Sequence, residues 1–220
     1  MRYMAPGVWR LDELPRPLIN VYLAEDVLID AGRRWDGRRI ARQTDGIELS
    51  LLALTHVHPD HQGCAREVCE RHGIPLACHA DDVEAMEGRR PVAATAAPLA
   101  KLFGRLWQGP PRRVDRVLQE GDEVAGFRVV HAPGHAPGEV IFFRERDRVA
   151  ICGDVVRNIT YLLGRTKLDE PPAELTPDPA ENRRSIRKLA ALEPSLVLPG
   201  HGPAIIDVVA FQRFAATLPG

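Results

Sequence analysis

The chain has 220 residues, 45% of them hydrophobic and 27% charged, which suits one globular domain with a substantial core. A formal net charge of −1 gives no electrostatic footprint for nucleic acid or for an anionic membrane surface. No run approaches the about 18 consecutive apolar residues of a membrane span, and the opening MRYMAPGVWRLDELP lacks the apolar centre and cleavage site of a signal peptide. A single domain over residues 1–220 is expected, with neither nucleic acid nor membrane as partner.

Residues 7–10, 19–24 and 27–30 read as short strands, with Glu25 and Asp26 at a hairpin tip. Residues 33–50 mix charge with the spaced apolar Ile40, Ile47 and Leu49 and should hold the first helix. Residues 51–54 read as a buried strand, and Pro59 ends regular pairing soon after. From Asp60 or His61 onward, Cys64, Val68 and Cys69 have helical spacing, with Gly73 as the stop. Residues 75–78 form a further short strand and 81–87 a short acidic helix. His72 and His79 read as structural or solvent-facing. Cys64, Cys69, Cys78 and Cys152 form no CxxC pair, and each lies in or beside an apolar segment. They read as small buried hydrophobes in a reducing compartment, which points to the cytoplasm.

Residues 89–108 carry Leu99, Leu102, Phe103, Leu106 and Trp107 at mostly helical intervals. Such a face either covers a site as a lid, packs on the sheet, or makes a homodimer contact. Arg112, Arg113 and Arg116 form a local basic cluster, either a solvated face or a lure for an anionic substrate. Strand pieces fill residues 117–140, where His131 reads as a hydrogen-bonded neighbour of the next turn and not as a ligand. A charged hairpin at 144–148 leads into the apolar strand 149–152. Residues 170–179 are proline-rich and irregular, 181–192 are an amphipathic helix, and 207–217 hold the last helix.

The chemistry concentrates after the strand at 51–54. His56, His58, Asp60 and His61 lie within six positions. On extended backbone His56 and His58 point the same way, because side chains alternate with period two. They can grip one ion through neutral imidazole nitrogens, while Asp60 and His61 face a neighbouring position where the chain turns. Imidazole with carboxylate suits zinc first, with iron or manganese as alternatives. An isolated His-x-His would read as a solvated turn; four donors packed this closely behind an apolar strand do not. His135, Asp154 and His201 then end three further apolar strands, and strand-end loops are where α/β scaffolds place chemistry.

THVHPDH, APGHAPG, CGD and PGHG, in that order, resemble the motifs of the metallo-β-lactamase-fold hydrolase superfamily. The resemblance runs from about Asp30, in the turn DAG, to His201. It implies an α/β four-layer αββα sandwich with a metal site at the rim between two sheets. It also implies two divalent metal ions, zinc in the first instance (Fe or Mn otherwise). His56, His58 and His135 would hold one ion, Asp60, His61 and His201 the other, and Asp154 would bridge them. The implied activity is hydrolysis of a small-molecule carboxylic ester, thioester or lactone by a metal-activated water, with Asp60 orienting the nucleophile and passing its proton on. Arg157 and Tyr161, after the bridging aspartate, and Phe103 and Trp107, on the lid segment, are the candidate substrate contacts. Asp154 departs from the common β-lactamases of the family, which argues against antibiotic hydrolysis. The same ligand set could instead serve a mononuclear iron persulfide dioxygenase, a phosphodiesterase-type hydrolase, or a metal-binding scaffold without turnover.

Overall fold

A computed structural model describes residues 1–13, 18–92, 98–160 and 164–219. Apolar runs separated by tight turns set the first half. Among the described residues one sheet holds seven strands in chain order: β1 (Arg2–Ala5), β2 (Val8–Arg10), β3 (Tyr22–Ala24), β4 (Val27–Ile29), β5 (Leu51–Ala53), β6 (Leu76–His79) and β7 (Arg116–Leu118). β1 to β4 pair antiparallel, whereas β4 to β7 run parallel. Parallel neighbours need long crossovers. These carry α1 (Gly37–Gln43), α2 (Pro59–Gln62), α3 (Ala65–His72), α4 (Val83–Met86) and α5 (Pro98–Trp107).

The second sheet contains β8 (Glu123–Val124), β9 (Phe127–His131), β10 (Val140–Arg144) and β11 (Val149–Gly153). A short ribbon, β12 (Arg157–Asn158) with β13 (Leu168–Asp169), precedes α6 (Pro179–Ala191), β14 (Leu196–Pro199) and α7 (Val208–Thr217). The sheet order is β14-β11-β10-β9-β8, and β14 joins β11 in parallel.

Three apolar clusters define the layers. One lies between the sheets, where Tyr22, Ile29 and Ala53 of the first meet Phe127, Phe142, Ile151 and Leu198 of the second. A second joins the outer face of the first sheet (Leu28, Leu52, Leu76) to Ile40, Val68 and Cys69 on helices. The third joins Ile141, Phe143 and Val197 to Ile186, Leu189 and Phe211 of α6 and α7. Period-two alternation along β10 produces this split, sending Phe142 inward and Ile141 and Phe143 outward. The result is the αββα sandwich.

Several local readings shift. The helix expected from residue 60 to 73 is two pieces, α2 and α3. A Cβ at Gly63 would overlap the backbone of Arg33 and Arg34, and its amide donates instead to Gly32 O at 2.8 Å. Gly73 does end α3, in the left-handed conformation. α6 begins two residues before Glu181, because Asp178 accepts the Glu181 amide at 2.9 Å and Pro179 opens the first turn. β1 adds an edge strand that residues 2–5 did not announce. The four cysteines are free and buried. Of the expected lid, residues 93–97 lie outside the described residues. Its helix, α5, packs on α2, with Gly104 facing Pro59. Among the described residues no helix is long and apolar enough to cross a membrane.

Phe142 has no exposed surface and sits between the sheets. Phe142→Ala should cost about 3–5 kcal/mol of unfolding free energy, read from urea denaturation midpoints at constant m-value.

Candidate metal centre

Four strand ends converge at one rim. β5 runs into Thr55 and His56, the β9–β10 loop carries His135, β11 runs into Asp154, and β14 runs into His201. His58 precedes α2, and Asp60 and His61 lie on it. The structure brings all seven expected donors together, in three overlapping groups: His56, His58 and His135; His56, His61 and Asp154; Asp60, His61 and His201. A side chain at Gly200 could not be accommodated, because its Cβ would collide with Asp154 Oδ1 and the His61 ring.

Four of the five imidazoles are turned by a partner on the far nitrogen. His61 Nδ1 donates to Asp30 Oδ2 at 2.9 Å, and His201 Nδ1 donates to the Leu18 carbonyl. The Thr176 hydroxyl donates to Pro172 O at 2.9 Å, so it accepts from His135 Nδ1 at 3.2 Å. The Thr55 hydroxyl likewise donates to Asp30 Oδ2 at 2.9 Å and accepts from His56 Nδ1 at 3.1 Å. Four histidines therefore carry the Nδ1 proton and present Nε2 inward. Such outer hydrogen bonds are how proteins orient metal-binding imidazoles.

The inward atoms fit a cation. His56 Nε2, His61 Nε2 and Asp154 Oδ1 are buried without a hydrogen-bond partner among the described residues, and such orphans demand an explanation. Asp154 Oδ1 stands 3.4 Å from His61 Nε2, and its Oδ2 stands 3.5 Å from His135 Nε2 and 3.0 Å from His201 Nε2. Asp60 Oδ2 is 3.3 Å from His201 Nε2, and His58 Nδ1 is 2.8 Å from His135 Nε2. Metal–ligand bonds of about 2.0–2.2 Å imply donor separations of roughly 3.3–3.6 Å around a tetrahedral ion, so small adjustments suffice.

The electrostatics divide the centre. Burial pushes His58 down to about 4 and His135 to about 3, with neighbouring imidazoles adding to the effect on His135. Burial, with His61 and His58 beside it, also holds His56 well below the ordinary range. His61 is the reverse: burial opposes its charge, but the Asp154 and Asp30 carboxylates outweigh it and raise its pKa well above normal. Asp60 and Asp154 overcome burial to stay well below the carboxylate range, chiefly through His201 and His61. One half of the centre offers neutral lone pairs; the other attracts positive charge.

Of the expected substrate contacts, the structure describes the side chains of Arg157 and Trp107. Arg157, on β12, donates to Glu170 O at 2.7 Å and Ile159 O at 3.1 Å, and it lines a cavity of about 250 Å³ with Thr176 and Arg183. Trp107 ends α5 and meets Trp35 edge to face at 6.4 Å. Tyr161 and the Phe103 side chain fall outside the described residues. Arg112 pairs with Asp115 at 3.0 Å.

Sequence reasoning passed over the residues that hold the centre in place. Thr176 and Glu139 lie outside the quoted motifs, Thr55 opens THVHPDH without being read as a partner of the centre, and Asp30 was only part of a turn. Glu139 has no exposed surface, accepts the Asp154 amide at 2.6 Å, and is raised well above its ordinary pKa by burial and by Asp154. A fourth donor group, His79, Asp81 and His131, has the composition of a metal site. One nitrogen of each ring is already committed. His79 Nδ1 accepts the Asp81 amide at 3.3 Å, His131 Nε2 donates to Pro137 O at 2.9 Å, and the two rings stack at 4.0 Å.

Fold and site together define a metal-binding hydrolase of the two-sheet sandwich type. The family model of the metallo-β-lactamase superfamily matches residues 15–201, and the chain belongs to that superfamily. It is 32% identical over 197 residues to the probable metallo-hydrolase YflN of Bacillus subtilis, covering 80% of this chain and 75% of that one. It is 28% identical over 135 residues to the hydroxyacylglutathione hydrolase GloC of Haemophilus influenzae, covering 59% and 60%. The crystal structure of TTHA1623 in a di-iron-bound form matches 92% of this chain and 96% of its own, at 31% identity and a TM-score of 0.66.

Protons compete with an ion for each lone pair. With His58 and His135 at about 4 and about 3, an ion on those nitrogens should bind with flat affinity from about pH 8 to 5 and weaken only below about 4. An ion on His61 must displace a proton, so its affinity should rise with pH through neutrality. Chelator-competition titrations with Zn²⁺ across this range check both halves, and an identical slope for both ions would contradict the assignment.

Proposed function

We propose that this chain is a binuclear-metal hydrolase acting on thioesters and related carboxylic esters, lactones included. The carrying observation is the position of Asp154. One oxygen faces His61 and the other faces His135 and His201, so the carboxylate reaches from the three-histidine group to the group with Asp60. A carboxylate placed between the two groups would help to hold a pair of divalent ions.

In this reading His56, His58 and His135 would bind one ion, and Asp60, His61 and His201 the second. Bound divalent ions would supply Lewis acidity, lowering the pKa of water and polarising a substrate carbonyl. Asp60 is the least buried of the seven donors, with 16% of its side chain exposed, so the open side of the centre lies there. Its carboxylate, kept anionic by His201 and His61, aligns the attacking water, accepts its proton and returns it to the leaving group. His201, fixed by the Leu18 carbonyl, would hold the same ion beside Asp60. Thioesters head the substrate classes because GloC is named for a hydroxyacylglutathione. Zinc suits the donor set, while the di-iron neighbour keeps iron in the comparison. Four free, buried thiols support a reducing, cytoplasmic setting.

Elemental analysis of purified protein should give about two ions per chain, falling toward one in both Asp60→Ala and His201→Ala. Asp60→Ala should also lower kcat on a responsive thioester by about 10²–10⁴-fold. A single iron per chain, retained in His201→Ala, would overturn the binuclear reading and direct assays to persulfide oxidation.

A further inference from the structure

We propose that Asp82 is a positioning residue of the metal centre, tying the loop that carries His56 and His58 to the loop that carries His135. The inference rests on the reading above that these three histidines hold an ion. Asp82 follows β6, is 1% exposed, and reaches both loops with one carboxylate. Its Oδ2 accepts the Val57 amide at 3.1 Å, and Val57 is the residue between His56 and His58. Its Oδ1 accepts the Gly138 amide at 3.1 Å, three residues beyond His135 and on the connection between strands of the other sheet. A backbone bond from Val140 N to Thr55 O, at 2.9 Å, joins the same two segments closer to their strands. Asp82 supplies the outer tie.

The far side of the same peptide is held as well. His131 Nε2 donates to Pro137 O at 2.9 Å, so the Pro137–Gly138 peptide is gripped at its carbonyl by His131 and at its amide by Asp82. His131 is braced in turn by its stack on His79, the last residue of β6, with the planes 12° apart. The cluster that resembles a metal site is thus a strut running from β6 to the His135 loop. A buried carboxylate is an expensive packing group, and an apolar side chain of similar volume would serve a core better. What it offers is two coplanar acceptors at fixed spacing, aimed at two backbone donors in loops that follow strands of separate sheets. An amide in its place has one acceptor and would turn its N–H₂ toward one of those N–H groups.

Full-length wild type, Asp82→Asn and His131→Phe are titrated with Zn²⁺ against a chelator, and their Co²⁺ absorption spectra and metal-free melting temperatures are recorded. Asp82→Asn should weaken the ion on the three-histidine group about 10–100-fold, leave the ion on Asp60 and His201 at wild-type affinity, and alter the Co²⁺ spectrum. His131→Phe keeps the stack but lacks the donor, and should shift affinity in the same direction by a smaller factor. Should Asp82→Asn fail to fold, the more exposed His131→Phe carries the test. Wild-type affinity and spectrum in the folded variants would overturn the proposal, whatever their melting temperatures. A wild type that binds no ion would instead overturn the metal-centre reading itself.

Discussion

Five imidazoles and two carboxylates can share a buried space only when each polar edge facing away from the centre is matched. An unmatched buried polar group costs from about 1 to several kcal/mol, and a centre with several would come apart. Here the far nitrogens of His56, His61, His135 and His201 are met by Thr55, Asp30, Thr176 and the Leu18 carbonyl. Asp30 serves twice, accepting from His61 and from the Thr55 amide and hydroxyl. Once those edges are fixed, the inward lone pairs have nowhere else to point.

The sandwich exists, in this light, to bring strand ends together without flexible connections. The apolar cluster between the sheets locks β5 against β10 and β11, and the loops beyond them inherit that registration. Placing donors on both sheets makes the centre depend on the packing between them. It also explains why backbone ties across the rim, through Asp82 and through Val140 and Thr55, accumulate where the two halves meet.

The two halves of the centre differ in a way chemistry can use. The three-histidine side is held neutral by burial, whereas the side with His61, Asp60 and Asp154 stabilises positive charge. An ion on the neutral side adds charge where little is compensated, while one on the acidic side replaces a proton already favoured. Exposure is greatest at Asp60, so the centre opens on its carboxylate-rich side.

Much of this was legible in the chain. HPDH behind an apolar run, and His135, Asp154 and His201 behind three more, follow from local rules: strands alternate, glycine and proline end them, and donors cluster at their ends. The sequence by itself placed seven candidate donors at strand ends, because each is marked by its immediate neighbours, and its motifs, through their resemblance to the superfamily, determined the fold class. Even so, residues 60–73 showed one helix where there are two, since the break at Gly63 answers to the distant backbone of Arg33 and Arg34. Asp82, Glu139 and Thr176 carry no local mark, and nothing local assigns Asp30 or Thr55 a partner, although both fall in quoted motifs. Their roles arise from hydrogen bonds between segments 15 or more residues apart, or, for Thr55, from a neighbour's ring orientation. Only the tertiary structure decided which way each imidazole faces and what holds the two loops at their separation, because a hydrogen-bond partner is chosen by proximity in space.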